Sequence, residues 1–246
     1  MKKKNSTAHQ TILKNKNIYL SKKKINKVYR IFKNILVESI GNQHFCIGVS
    51  GGPDSLALAF LSKIYAKEFN VNYNVLVVDH GLREESKEES KEVRSLLLKE
   101  GILSKILTWN GKKPKSNIQL NARKIRYKLL LNECHSIKVK NLILGHQMDD
   151  FVENFVIRLF RGSGLKGLSS FNQISFTNKN NQKLIRPLIN ISKKDLIYIS
   201  KKVFKNYITD PSNFKDKYLR TRIRTHIKNL KSDGLNINKV KLTIKN

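Results

Sequence analysis

Hydrophobic positions along the chain follow two rhythms. Ile25, Val28, Ile31, Phe32, Ile35 and Leu36 recur at helical spacing and predict an amphipathic helix over 25–40. Phe45-Cys46-Ile47-Gly48-Val49 is an unbroken apolar run that reads as a strand, and a helix is expected from about 54 to 68. Asn74-Val75-Leu76-Val77-Val78 is a second such run, of the kind seen in parallel strands buried on both faces. Ser86-Lys87-Glu88-Glu89 has the spacing of a capping box, opening a helix with Val93, Leu96 and Leu97 that stops at Gly101. Residues 102–109 hold a short third strand, 117–133 a helix and 141–145 a fourth strand. A further helix runs from about 148 to 161, closed by Gly162-Ser163-Gly164.

Strands alternating with helices predict an α/β fold: a doubly wound parallel sheet with helices on both faces. Ligands in such folds bind beyond the carboxyl ends of the strands. Ser50, Asp79 and His146 all fall at such ends. After about residue 170 the character changes. Residues 184–188 read as a short strand, and Ser192 caps a helix with Leu196, Ile199 and Val203 on one face. The last dozen residues show no core face and stay unassigned. No internal repeat is visible.

The 246 residues suit one large domain or a domain with a small appendage. The formal net charge is +31, from 49 Lys+Arg against 18 Asp+Glu. Such a field attracts polyanions, nucleic acid first. A general enrichment in Lys and Asn contributes too, so charge supports an RNA partner without establishing one. Cys46 and Cys134 lie far apart with no C-x-x-C, which argues against a zinc ribbon or iron–sulfur site. That usage fits a reducing compartment, and a cytoplasmic location is expected. No apolar run approaches transmembrane length. The first 24 residues hold eight lysines and no acid, and read as a disordered basic arm able to touch RNA phosphates.

The chemistry concentrates at Ser50-Gly51-Gly52-Pro53-Asp54-Ser55, between the first strand and its helix. Two glycines let backbone N–H groups approach a phosphate, and a helix N-terminus adds positive potential. Pro53 suits a first helical turn. Ser50 and Ser55 offer hydroxyl donors. Asp54 would repel a phosphate unless a divalent cation sits between them. The loop lacks the Gly-Lys-Ser/Thr ending of a Walker A loop, so it suits a pyrophosphate grip with chemistry at the α-phosphate. The ordinary alternative is a Gly-rich βα turn. The hexapeptide resembles the pyrophosphate loop of the N-type ATP pyrophosphatases.

His146, Asp150 and Glu153 lie at i, i+4 and i+7, one face of a helix. Phe151, Phe155, Val156 and Leu159 occupy the other side, so the acidic face is expected to point at the cleft mouth. It could hold magnesium, orient a cationic substrate or supply a base.

Gly145 to Asn154, followed by Arg158 to Leu168, resembles the tRNA(Ile)-lysidine synthetases. So do Val78-Asp79-His80-Gly81-Leu82-Arg83, Asn121 to Tyr127, Ile185-Arg186-Pro187-Leu188, and Asp210 to Arg220. The motifs stand in the family's order over residues 43–228. The resemblance implies an adenine nucleotide alpha hydrolase-like fold and ATP as co-substrate. It implies adenylation of the wobble cytidine of the CAU-anticodon tRNA(Ile). Attack by the ε-amine of free L-lysine follows, releasing AMP. Ser50, Gly51, Gly52, Pro53 and Ser55 would cradle pyrophosphate, with Asp54 on Mg2+ and Asp79 and His80 near the nucleoside. Arg123 and Arg126 would neutralise charge on phosphate. Asp150 and Glu153 would receive the lysine ammonium and help deprotonate it. His146 would contact the adenylated intermediate or a phosphate, or else cap the helix, and Asp149 reads as a cap or solvent residue. Arg161, Lys166, Arg220, Arg222 and Arg224 are candidates for RNA phosphates, although Arg161-Gly162-Ser163-Gly164 also reads as a helix C-cap.

Residues 25–228 are thus expected to form the catalytic domain. Residues 229–246 read as a short basic tail, without the C-terminal tRNA-binding domains common in the family, and a short basic C-terminal helical extension is expected. Thr221 stands where the family usually has Asn. A homodimer is left open. One rival is a related tRNA cytidine thiolase, although the two cysteines are poorly placed for sulfur delivery. The other is a non-catalytic basic tRNA-binding remnant, but neither the loop nor the acidic helix has decayed.

Overall fold

The computed structural model describes residues 19, 21–114, 116, 118–168, 172–177, 181–209, 219–237, 239–240 and 242. Helix α1 (Lys23–Ile40) begins within the stretch read as an arm; residues 1–18 lie outside the described residues. Then come β1 (Phe45–Val49), α2 (Pro53–Glu68), β2 (Tyr73–Asp79), α3 (Ser86–Lys99), β3 (Lys105–Thr108) and α4 (Ile118–Ser136). They are followed by β4 (Asn141–Leu144), α5 (Met148–Phe160), α6 (Leu165–Leu168), β5 (Ile174–Phe176) and β6 (Lys183–Ile185). The helices α7 (Lys193–Phe204) and α8 (Leu219–Ser232) complete the set, α8 running across residue 228.

The sheet order is β3-β2-β1-β4-β6-β5. All pairings are parallel except β5 on β6. The chain switches direction between β1 and β4, the crevice where such sheets bind ligands. Period-2 alternation sorts β1 between two cores. Phe45, Ile47 and Val49 face a large cluster with α1, α2, α3 and α7, including Phe32, Leu56, Leu97 and Ile199. Cys46 faces the other way, onto Leu130 and Cys134 of α4 with Leu142 and Leu144 of β4. Each fully buried Leu, Ile or Phe here contributes about 1.5–3 kcal/mol. A third cluster, Phe151, Val152, Ile189, Ile223 and Ile227, clamps α5 to α8. Among the described residues no helix is long and apolar enough to cross a membrane.

Two local expectations change. Ser86 is the first residue of α3, not its cap, and position Glu85 makes no side-chain cap bond. The Ser86 hydroxyl instead donates to Oδ1 of Asp79 at 2.5 Å. Asp79 is buried, and a desolvated carboxylate needs donors more than a helix end near water does. On α5 the buried residues are Phe151, Val152 and Glu153, while Leu159 is 51% exposed. The acidic side therefore does not point outward, because α8 covers it. Ser192 does cap α7, its hydroxyl accepting from the Asp195 N–H.

Candidate active site

The Ser50–Ser55 turn is built as a cradle. Gly51 has φ +81°, a left-handed conformation, and a Cβ there would come within 2.5 Å of Cγ2 of Val93. Its carbonyl accepts from the Ile208 N–H at 2.9 Å, so the chain beyond α7 is tied back onto the loop. Gly52 is the N-cap of α2 and Pro53 stands at its start. The Ser50 N–H and hydroxyl both donate to Oγ of Ser55, at 3.1 and 3.3 Å. The Ser55 hydroxyl donates to the Gly52 carbonyl. Gly145, just beyond β4, packs so closely that a Cβ would lie 3.3 Å from Cα of Ser55. The ends of β1 and β4 thus meet at the first turn of α2.

Asp54 lies in that turn. Lys193, the first residue of α7, places Nζ 2.6 Å from its Oδ2. Oδ1 is buried and has no hydrogen-bond partner among the described residues. Burial pushes the carboxyl up to about 6, against the opposing charge of Lys193. An unpartnered carboxylate oxygen beside a glycine turn at a helix N-terminus fits a hard divalent cation. Magnesium sites of this type use one or two carboxylates and complete their shell with phosphate oxygens and water. Among the described residues no cluster of three or more His, Cys, Asp and Glu suited to a metal occurs.

The second half of the site is a charged cluster under α8. His146 does not ride on α5; it lies in the turn after β4, two residues before the helix. Gln147 is the N-cap, accepting from the Asp149 N–H, and Oδ2 of Asp150 accepts from the Gln147 N–H at 3.1 Å. This reciprocal capping box orients Asp150. Its other oxygen accepts from Nη2 of Arg220 at 2.8 Å. Glu153 is 4% exposed and accepts from Nε of Arg220 at 2.7 Å and Nε of Arg224 at 2.6 Å. Burial alone would raise Asp150, but Arg220 first, then the Gln147 N–H and Arg224, outweigh it and hold the carboxyl low. Burial pushes His146 down to about 3, the charges of Arg123, Arg186 and Arg220 adding to that against Asp150. The imidazole is therefore neutral at physiological pH. Asp149 reaches Lys231 at 3.5 Å.

The two halves share one electrostatic environment, since Asp54 feels both Asp150 and Arg224. Arg123 on α4 lies over the Tyr127 ring at 5.0 Å and donates to its hydroxyl. Arg126 is half-buried on the same helix. Asp79 turns inward, with Oδ1 accepting from Ser86 and the Gly81 N–H. Nδ1 of His80 accepts from the Leu82 N–H. Arg220 and Arg224 hold the acidic pair, with side chains 36% and 41% exposed. Arg222 and Arg161 are exposed, and Lys166 has its backbone in α6 while its side chain lies outside the described residues.

Two residues enter that sequence reasoning missed. Lys193 reaches Asp54 across 139 positions, and no local spacing signals that. Arg186 is buried beyond β6 and donates to the Asn172 carbonyl and the Ser175 hydroxyl. Its motif, Ile185-Arg186-Pro187-Leu188, was visible, but its part in the charge cluster was not.

A glycine turn at a topological switch point, a carboxylate oxygen without a partner and an adjoining acid–arginine cluster suit an ATP-handling α/β domain. The chain belongs to the PP-loop domain family, whose model matches residues 21–231. It is similar to named tRNA(Ile)-lysidine synthases. Identity to that of Orientia tsutsugamushi (strain Boryong) is 46% over 190 residues, 77% of this chain and 42% of that protein. Identity to that of Bradyrhizobium diazoefficiens is 34% over 204 residues, 82% of this chain and 56% of the relative. The chain thus spans about half the length of the curated relatives it matches. Among solved structures, the U34-tRNA thiolase NcsA of Methanococcus maripaludis, with its [4Fe-4S] cluster, superposes with TM-score 0.75 at 20% identity. That match covers 90% of this chain and 80% of the thiolase, a likeness of fold.

Proposed function

We propose that this chain ligates free L-lysine to C2 of the wobble cytidine of tRNA(Ile) with a CAU anticodon, at the expense of ATP. The observation that carries this is the pairing of a pyrophosphate cradle with a buried acidic pair suited to an ammonium group. Similarity to the lysidine synthases supports the substrate assignment. The cytidine 2-carbonyl oxygen attacks the α-phosphate, the α–β bridge breaks, and pyrophosphate leaves on the side of Ser50–Ser55. Loop N–H groups and Ser hydroxyls hold its oxygens. Asp54 would hold Mg2+, which neutralises phosphate charge when bound.

The incoming lysine ammonium gives a proton to Asp150 or Glu153. Its amine attacks C2, the C2–O bond breaks and AMP departs. Arg220 and Arg224 exchange places with that ammonium, since they hold the same carboxylates. Arg123, Arg126 and Arg186 supply positive charge around the reacting phosphate, and neutral His146 can hydrogen-bond it. Arg161, Lys166, Arg222 and the basic arm meet RNA phosphates. Asp79 and His80 shape the nucleoside side of the cleft. The thiolase alternative is disfavoured by Cys46 and Cys134, both fully buried.

The test is incubation of the purified protein with labelled lysine, ATP, magnesium and the CAU-anticodon tRNA. ATP-dependent transfer of label to that tRNA is expected. No label, with the RNA bound and ATP intact, refutes the proposal.

A further inference from the structure

The Lys193–Asp54 contact joins two sites rather than bracing one. Lys193 grows from the first turn of α7, a 12-residue helix, and crosses to the first turn of α2. Its side chain is 38% exposed and that of Asp54 19%, so the ammonium stands at the edge of the cradle with room to move. The same lysine forms part of the wall of a cavity of about 440 Å3 among α1, the starts of α5 and α7, and the end of α8. Lys27, Lys194 and Lys231 line it too, with Asp149 and Asp195 as the acidic members. Those two acids already hold partners, Lys231 at 3.5 Å and Lys24 at 3.0 Å. The wall is left with a net positive character.

We propose that Lys193 is a phosphate-positioning residue that alternates between Asp54 in the resting protein and the pyrophosphate group of bound nucleotide. This rests on the reading of Ser50–Ser55 as a pyrophosphate grip. One carboxylate cannot hold an ammonium and a divalent cation at contact without strong like-charge repulsion. A cation held by the unpartnered Oδ1 of Asp54 would therefore release the ammonium. Its flexible four-carbon stem then carries the charge to the nearest anion. When the α–β bond breaks, negative charge collects on the pyrophosphate oxygen that held the bridge. Lys193 neutralises that charge with no proton transferred. The resting ion pair keeps the cradle's one carboxylate from standing uncompensated before ATP arrives.

The experiment measures binding of inorganic pyrophosphate with Mg2+ by calorimetry, and of Mn2+ alone by electron paramagnetic resonance. Lys193→Met is expected to weaken pyrophosphate binding at least about tenfold, the scale of one charge-assisted hydrogen bond. The same variant is expected to tighten Mn2+ binding, because the competitor for Asp54 is gone. Asp54→Asn is expected to lose Mn2+ binding. Opposite signs for the two ligands separate an exchanging lysine from a structural bridge. Pyrophosphate affinity within twofold of wild type, or weaker binding of both ligands, overturns the proposal. In wild-type protein the Lys193 NH3+ resonance should move on adding magnesium pyrophosphate; an unmoved signal overturns it even if the methionine variant does not fold. No tRNA or lysine is present, so failure here leaves the ligation assay standing. Wild-type protein that binds no pyrophosphate defeats the cradle reading and this proposal together.

Discussion

Arg220→Met should cost stability in a way that depends on pH. Arg220 makes two charge-assisted bonds, to Glu153 at 2.7 Å and to Asp150 at 2.8 Å. Each such bond contributes about 1.5–3 kcal/mol when its partner would otherwise remain buried. Arg220 is itself 36% exposed, so solvent screening removes about half of that. The net loss is about 1.5–3 kcal/mol, with Arg224 still serving Glu153. In a chain of this size the melting temperature should fall by about 3–10 °C. Asp150 lies lower in the folded protein than unfolded, and Arg220 is the first charge that lowers it. Its contribution is therefore fully present above the unfolded value of about 4 and is lost as pH falls through the folded one. The variant's deficit should be greatest above about pH 5 and shrink toward pH 3. Urea unfolding of both proteins across that range is the assay. A deficit below about 0.5 kcal/mol, or one that stays constant with pH, would falsify the view that α8 is held on by these carboxylates.

Gly51→Ala should lower stability by about 1–3 kcal/mol, from the left-handed backbone and the contact with Val93, and should weaken pyrophosphate binding with it. Unchanged melting and unchanged affinity would show that the turn can relax. Deleting residues 1–24 should weaken tRNA binding at low salt and flatten its salt dependence, as expected when phosphate contacts are lost. Equal slopes for the two proteins would remove the arm from the interface.

The parts of this protein that sequence made legible are those governed by local period. β1, β2 and β4 are short apolar runs next to helices with regular apolar spacing, and the parallel sheet follows from their alternation. β5 was missed because Ile174–Phe176 is only three residues long and partly exposed at the sheet's edge. α8 was expected only as a basic C-terminal helical extension without a start, because its fourteen residues bury just Ile223 and Ile227 within a basic stretch. Ser86 shows how a correct local pattern yields to a tertiary demand, since Asp79 takes the hydroxyl that the spacing assigned to the helix. The acidic residues were found by their spacing. Their orientation was misread, because the arginines that bury them arrive about seventy positions later. Charge alone cannot separate a guanidinium meant for RNA from one meant for a carboxylate.

That separation along the chain has a consequence for how the protein is made. Synthesis runs from the N-terminus, so Asp150 and Glu153 emerge from the ribosome well before Arg220 and Arg224. The cradle, both sheet cores and most of the parallel sheet can assemble in that interval. The acidic pair cannot be buried then without counter-charges, so α5 must wait, solvated, for α8. Docking of α8 therefore follows their synthesis, and the emerging chain keeps its two carboxylates in water until the helix that carries Arg220 and Arg224 has been translated.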